Sequence, residues 1–533
     1  MKRYDHPDIC IVSVTQFLIY SGTAPETTAG GKHMASMSRI MGSRDTYVRW
    51  AVSTVTLALI LVAAPLSAKG QAVPASVAAD RALDTALNAY LVAATRNEQF
   101  SGTVLLARDG KPVFLRSYGM ANYELSVPNG PDTVFRLASI TKQFTALAVM
   151  QLQEQNELHV DDPICRYLVD CPAAWRPITI RHLLNHMSGI PNFSSLPEWD
   201  EVLSRRDYTP TELVALFRNL PLKFAPGEKY DYSNSGYHLL GLIIERTSGM
   251  PWGAYVKRHI LIPAGMTHSG DDNSRAIVPH RASGYYSLGT TFINAPIISH
   301  TVGYAAGGLH STVGDLLLWE RALAPGKLVS QASLDAMFTP AKNNYGFGWR
   351  IGERFGRREM DHSGSDNGFS TYIIRFPADR LTAIVLSNSD RASASKVGNA
   401  MAAIAFGQPT PLPVAQLREI LWDRIDRGGV AGAIALYREL KQSDAKLDFS
   451  DDALVGLGYD LYEAQRYADA KAIFRFNLTV YPKSAYSHDG LADIAVAEGD
   501  REQAISLFRQ SLTLDPTNRY ASDALKRLQA SPR

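Results

Sequence analysis

FRLASITKQFTAL, residues Phe135 to Leu147, places Ser139 and Lys142 three positions apart at the start of an apolar, helix-periodic segment. On a helix, positions i and i+3 share a face, so the Lys142 amine can fold back against the Ser139 hydroxyl. A serine hydroxyl is a weak nucleophile until a neighbour takes its proton. A lysine takes it only when burial lowers its pKa enough to leave a neutral fraction. The spacing alone recurs on many surface helices, so its meaning rests on the rest of the chain.

Two further clusters agree with it. After a Pro226-Gly227 turn, Tyr230-Asp231-Tyr232-Ser233-Asn234-Ser235-Gly236-Tyr237 leads into a helix-like run from His238 to Thr247. Tyr232 and Asn234 are two apart, so on an extended or tight loop they point to one side and bring a phenol and an amide together. Asp361-His362-Ser363-Gly364-Ser365 precedes a β-rich run, Phe369 to Phe376, suited to a sheet strand. Its glycine permits close backbone approach. Each cluster has an ordinary alternative: Tyr232 as a core or loop aromatic, Asn234 as the cap of the following helix, and His362 as a solvated strand-edge residue.

Taken in order, S-x-x-K, Y-S-N and H-S-G resemble the three motifs of the serine β-lactamase and penicillin-binding-protein superfamily. The nearest branch holds class C β-lactamases, D-alanyl-D-alanine carboxypeptidases, D-aminopeptidases and related esterases. The phrases RHLLNHMSGIP at 181–191 and GGLHST at 307–312, with Asp315-Leu316, support it, and the resemblance covers residues 79–406. It implies an α/β fold with an antiparallel sheet, flanking helices and a helical insertion. Ser139 is then the nucleophile, Lys142 and Tyr232 share proton transfer, and Asn234 positions the substrate amide and Lys142. His362, Ser363, Gly364 and Ser365 lie at the substrate. The backbone N–H groups of Ser139 and Ser365 form the oxyanion hole, where one donor is worth about 3 kcal/mol of barrier. His186 and Ser188 belong in this family to a structural turn and are expected to pack; Gly307-Gly308 packs beside the site or lines it.

One departure bears on substrate. Where β-lactamases and carboxypeptidases usually carry K-T-G, this chain has His362-Ser363-Gly364. A lysine there is a permanent cation that attracts a substrate carboxylate, whereas histidine is largely neutral near pH 7 unless its surroundings raise its pKa. H-x-G occurs in D-aminopeptidase-like and esterase-like relatives, which favours an amidase or esterase.

Composition is compatible with this reading. The chain has 533 residues, with 54 Lys plus Arg against 52 Asp plus Glu. It is too long for one ordinary domain, and no charge block marks a nucleic-acid or polybasic membrane surface. No Cys/His cluster has metal-ligand spacing, the HExxH, P-loop and GxGxxG patterns are absent, and no cofactor is implied.

Residues 1–72 read as a leader with a signal peptide, the functional start being Met37 or Met41. Met41 to Arg49 supplies a basic n-region, Trp50 to Ala64 an apolar h-region and Gly70-Gln71-Ala72 a small-residue cleavage context. A periplasmic or secreted protein is expected. The rival is an uncleaved anchor, the one route to a membrane, although the apolar stretch falls short of a comfortable span. Cys165 and Cys171, six apart, pair in an oxidising compartment or remain two buried thiols.

Phe100 to Tyr118 reads as two strands around Asp109-Gly110. With the strands near Tyr372 to Phe376 and Leu381 to Asn388, it predicts an antiparallel sheet carrying the Ser139 helix. The middle segment, roughly 178–340, reads as an all-helical insertion. Residues 407–413 form a proline-rich linker. Beyond it, Gly456 and Gly490, Leu457 and Leu491, Ala470 and Ala504, Phe474 and Phe508, and Pro482 and Pro516 each lie 34 apart. That is the tetratricopeptide period, so 414–533 is read as helical repeats with a degenerate first unit at Ala433 and Tyr437 and a cap from Tyr520 to Leu528. Those helices either bind a protein or peptide partner or brace the preceding domain.

The expectation is a secreted serine hydrolase forming an acyl-enzyme on Ser139, an esterase or a D-aminopeptidase-like amidase, with a small ester, amide or β-lactam as substrate. The alternatives are a β-lactamase or D-alanyl-D-alanine carboxypeptidase, a non-hydrolytic penicillin-binding protein, and a scaffold whose repeats carry the function.

Overall fold

A computed structural model describes residues 75–530 except 98–99, 198, 201, 274, 392 and 444–445. The leader, signal peptide and alternative start sites read in residues 1–72 lie outside the described residues.

The expected hairpin is present. Strands β1 (Gly102–Arg108) and β2 (Lys111–Tyr118) meet across Asp109 and Gly110, whose φ values of 53° and 68° give the left-handed pair that a tight hairpin turn requires. Strands β3 (Arg350–Arg354), β4 (Arg357–Asp366), β5 (Phe369–Phe376) and β6 (Leu381–Ser387) complete a six-stranded sheet ordered β3-β4-β5-β6-β1-β2. Every pairing in it is antiparallel.

The central strands read as unbroken apolar runs because both of their faces are covered. Val104, Leu106, Tyr372, Ile374, Ala383 and Val385 face helices α1 (Ala75–Asn97) and α4 (Ala394–Ala405). Their neighbours Leu105, Ala107, Ile373, Ile384 and Leu386 join the larger core around helix α2 (Thr141–Glu154). Within α2 every residue from Thr141 to Leu152 is buried. The helix that carries Lys142 is therefore held from all sides.

Helix α3 (Asn234–Ser248) packs against α2 and brings the Y-S-N segment to the same end. The inserted segment is chiefly helical and adds four short strands to the helices expected there: Gly270–Asp271, Tyr285–Leu288, Thr291–Asn294 and Leu309–Ser311. None exceeds four residues, too short for a period-2 pattern to stand out. Cys165 and Cys171 are joined by a disulfide.

Beyond Phe406 the chain is all helical: α5 (Leu417–Gln442, broken at Gly429, φ 68°), α6 (Asp451–Glu463), α7 (Tyr467–Val480), α8 (Ala485–Ala497), α9 (Arg501–Leu514) and α10 (Arg519–Ala530). Ala470, Phe474, Ala504 and Phe508 are all fully buried. A Cβ on Gly458 or Gly490 would stand 2.5 or 2.2 Å from the Phe474 ring, so these glycines let neighbouring helices close on it. Among the described residues no helix is long and apolar enough to cross a membrane, and no group of His, Cys, Asp and Glu could hold a metal ion.

Candidate active site

Ser139 sits in a single 3-10 turn, Ala138–Ile140, that runs directly into α2. Ala138 has φ 48°, a left-handed conformation that a residue with a Cβ adopts only under constraint. The constraint comes from β4. A Cβ on Gly364 would lie 2.2 Å from the Leu137 carbonyl oxygen and 2.3 Å from Thr371 Oγ1, so only glycine lets this strand pass against the Ser139 turn. Thr371 Oγ1 donates to that same Leu137 oxygen at 2.8 Å and pins the turn to β5.

Lys142 is fully buried. Its Nζ lies 3.0 Å from Ser139 Oγ, 2.8 Å from Asn234 Oδ1 and 2.7 Å from the Ala306 carbonyl oxygen. Among the described residues no carboxylate pairs with it, and burial holds its pKa well below the ordinary lysine value. A neutral amine has two N–H groups and one lone pair. The two carbonyl oxygens can only accept, so they take both N–H groups and leave the lone pair for the Ser139 hydroxyl.

Asn234 does not cap its own helix; it is the first residue of α3, and its side chain is turned to the site. Its Nδ2 donates to Ser194 Oγ (3.1 Å), which aims Oδ1 at Lys142, while Asn192 Oδ1 accepts its backbone N–H (3.0 Å). Tyr232 lies beside them, with Lys142 Nζ 4.9 Å from its ring centroid. Burial raises its pKa above the normal tyrosine value, and hydrogen bonding with Ser139 only partly opposes this. Its phenol is therefore protonated at neutral pH. Behind it packs His186, 4.2 Å between ring centroids, whose Nδ1 accepts the Ser233 backbone N–H at 3.1 Å. The 181–191 phrase is thus a packed turn, and it supports the tyrosine.

His362 is not a solvated edge residue: it is 4% exposed. Its Nδ1 can only donate to the Ser363 carbonyl oxygen (2.7 Å), so Nε2 accepts from the Tyr345 hydroxyl (2.8 Å). Burial first, and then the positive charge of Lys142 in its protonated form and that of Arg350, lower its pKa to about 3. The ring is neutral, as the motif comparison anticipated.

The site nevertheless holds a permanent cation that the motif comparison did not identify. Arg350, with its side chain 47% exposed, opens onto the same cavity as Ser139, Tyr232, His362 and Ser363. Its Nε and Nη2 both bond Asp361 Oδ1 (2.8 and 2.5 Å), and Nη2 reaches Ser363 Oγ at 3.3 Å. The signal was present in the sequence: R-I-G-E-R-F-G-R-R-E-M-D folds back at Phe355-Gly356 and sets Arg350 opposite Asp361. Tyr345 and Ser194 were also missed; nothing in their local sequence distinguishes them.

The cavity has two lobes that share Ser139, Ser194, Asn234 and Ser365. The lobe with Arg350, Tyr230 and His362 has a volume of about 370 Å³. The other, about 320 Å³, is lined by Trp199, Tyr286, Asp200, Asp366 and Asp390 among others. All the residues singled out by the three motifs thus converge on one cleft. Lys142 and Gly364 act from behind its wall, Lys142 as the buried amine bonded to Ser139 and Gly364 as the close-approach position under Ser139.

A family model described as Beta-lactamase matches residues 87–407. The chain is 34% identical over 340 residues to Penicillin-binding protein 4* of Bacillus subtilis, an alignment covering 59% of this chain and 74% of that protein. Among solved structures, the octameric penicillin-binding protein homologue from Pyrococcus abyssi matches with TM-score 0.55 and 28% identity, over 64% of this chain and 81% of that one. The D-stereospecific amidohydrolase from Streptomyces sp. matches with TM-score 0.54 and 26% identity, over 62% and 99%. With its antiparallel sheet, its Ser139 hydroxyl bonded to the buried Lys142 amine and these matches, the chain belongs to the β-lactamase and penicillin-binding-protein family of serine hydrolases.

Proposed function

We propose that the protein hydrolyses small esters or amides through an acyl-enzyme on Ser139, with Lys142 as the general base. The observation that carries this reading is the buried Lys142 amine, bonded to two carbonyl oxygens and to the Ser139 hydroxyl and to no described carboxylate. In acylation the Ser139 proton passes to Lys142 as Oγ bonds the substrate carbonyl carbon and that carbonyl's oxygen takes the negative charge. By family resemblance, the backbone N–H groups of Ser139 and Ser365 receive this oxyanion. Collapse breaks the bond to the leaving group, which takes the proton from Lys142 directly or through the Tyr232 phenol. A water molecule then repeats the sequence and releases the acid and free Ser139. Because burial keeps Tyr232 protonated, it relays the proton while Lys142 accepts it.

The neutral His362 and the likeness to a D-stereospecific amidohydrolase support an esterase or D-aminopeptidase-like amidase. A second reading, a β-lactamase or D-alanyl carboxypeptidase, is favoured by one observation. The Arg350 guanidinium can meet a substrate carboxylate that His362 cannot. Three readings remain proposals alongside the chemistry: export to the periplasm or medium, which the Cys165–Cys171 disulfide supports; a tetratricopeptide-like identity for the C-terminal helices, which the 34-residue period supports; and a peptide partner on them.

The test follows a short-chain p-nitrophenyl ester, a D-amino-acid amide and a penicillin in parallel, with intact-mass spectrometry on wild type and Ser139→Ala. Turnover of ester or amide, lost in Ser139→Ala, supports the first reading. Rapid penicillin hydrolysis moves the second to the front. A fluorophosphonate label equally strong on Ser139→Ala would sink both.

A further inference from the structure

A β-hairpin links the catalytic cleft to the C-terminal helices. Its strands, Tyr285–Leu288 and Thr291–Asn294, turn at Gly289-Thr290. At the base, Tyr286 lines the second lobe of the Ser139 cavity together with Asp390. Asp390 Oδ1 accepts the Ser287 N–H at 2.8 Å, and its own N–H donates to the Tyr285 carbonyl oxygen at 3.2 Å. These bonds tie the hairpin to the 388–390 segment.

The tip packs against the C-terminal helices. Leu288 packs on the helical core formed by Leu417, Leu421 and Trp422. The Trp422 indole covers Gly289 so closely that a Cβ there would fall 2.1 Å from Trp422 Cε2. Next to Asp390, Arg391 has a side chain only 2% exposed. Its Nη1 donates to the Gly289 carbonyl oxygen (3.0 Å) and to Glu419 Oε1 (3.0 Å), and its Nη2 to Asp460 Oδ2 (3.2 Å). A buried guanidinium shared by two helices and a hairpin tip fixes geometry far better than an exposed pair, because losing one partner leaves buried charge uncompensated.

We propose that the second lobe of the cavity receives the acyl group and that the C-terminal helical region is its outer brace: Trp422 and Arg391 are positioning residues that hold Tyr286 and Asp390 in the wall of the cavity. The chemistry at Ser139 is untouched by the brace, which sets the acyl groups the cleft accepts. This inference rests on the hydrolase reading above, and its test is arranged so that the two can fail separately.

The test uses the full chain and two p-nitrophenyl esters, the acetate, whose acyl group ends at a methyl, and the longer and bulkier 4-phenylbutyrate. Trp422→Ala and Arg391→Gln are expected to raise KM for the phenylbutyrate at least tenfold. The kcat for the acetate and the rate of fluorophosphonate labelling stay unchanged. Arg391→Lys, which keeps one ionic contact, recovers part of the loss. In a Tyr286→Ala background, Trp422→Ala adds nothing further, because its effect passes through Tyr286. Should Trp422→Ala unfold the chain, the milder Trp422→Phe gives the same comparison. An unchanged phenylbutyrate-to-acetate ratio, additive effects of Trp422→Ala and Tyr286→Ala, or wild-type turnover of acetate alone overturns the brace. No turnover or labelling of the wild type by any probe overturns the hydrolase reading instead.

Discussion

Replacing His362 by glutamine should make the protein less sensitive to acid. In the folded chain the ring is buried, donates to Ser363 and accepts from Tyr345, and its pKa falls to about 3. In the unfolded chain it returns to about 6.5. Because the folded value is depressed, the unfolded state binds the extra proton first. The contribution to stability is complete above about pH 6.5 and is lost as pH falls toward about 3. Each pH unit in that window costs about 1.4 kcal/mol. Lowering the pH from about 7.5 to about 4.5 spans about two such units, so His362 alone removes about 2.7 kcal/mol from wild type and nothing from His362→Gln. His186 and His238 are similarly buried and depressed; both are present in the two proteins, so only the part of the His186 shift that comes from His362 differs between them. Urea unfolding at the two pH values, followed by tryptophan fluorescence, measures it. Equal losses in the two proteins, within about 0.5 kcal/mol, would refute the neutral, doubly bonded histidine.

Three further substitutions probe the cleft. Lys142→Met keeps the buried volume and removes the base, so kcat should fall by about 10²–10⁴ with circular dichroism unchanged; a fall of less than tenfold would assign the base elsewhere. Gly364→Ala drives a Cβ against the Leu137 oxygen and should lower kcat by about 10²–10³ as β4 is pushed off the Ser139 turn, whereas near-normal kcat would show that the turn tolerates the shift. Arg350→Gln should raise KM about tenfold for a substrate bearing a free carboxylate and leave a neutral ester unaffected; equal effects on both would make Arg350 a structural partner of Asp361 only.

Motif spacing made most of the cleft legible. Ser139 and Lys142 lie on one 3-10 turn and the helix it runs into, so three residues of sequence suffice to predict their contact. Tyr232 and Asn234 are likewise local, and the Asp109-Gly110 hairpin follows from turn chemistry alone. Other features depended on partners far away in the chain. Asn234 could be read as a helix cap until Lys142, 92 residues distant, was found at its Oδ1. The Ala306 carbonyl oxygen that completes the lysine's surroundings is 164 residues from it and carries no side-chain signal at all. Arg350 was hidden because attention to H-S-G as a linear motif ignores the strand beside it.

By itself the sequence determined the closeness of Ser139 and Lys142, the order of the three motifs, the antiparallel sheet and the change to helices after the proline-rich linker. These are fixed by local propensity and by spacings of a few residues. Only the tertiary structure decided which state each group holds. Burial with two carbonyl acceptors favours a neutral Lys142, burial between Tyr345 and Ser363 does the same for His362, and the return of β3 brings a guanidinium to a cleft whose motif lacks the lysine. Protonation and subsite charge follow from what surrounds a group in three dimensions, and those surroundings are assembled from segments that only folding brings together.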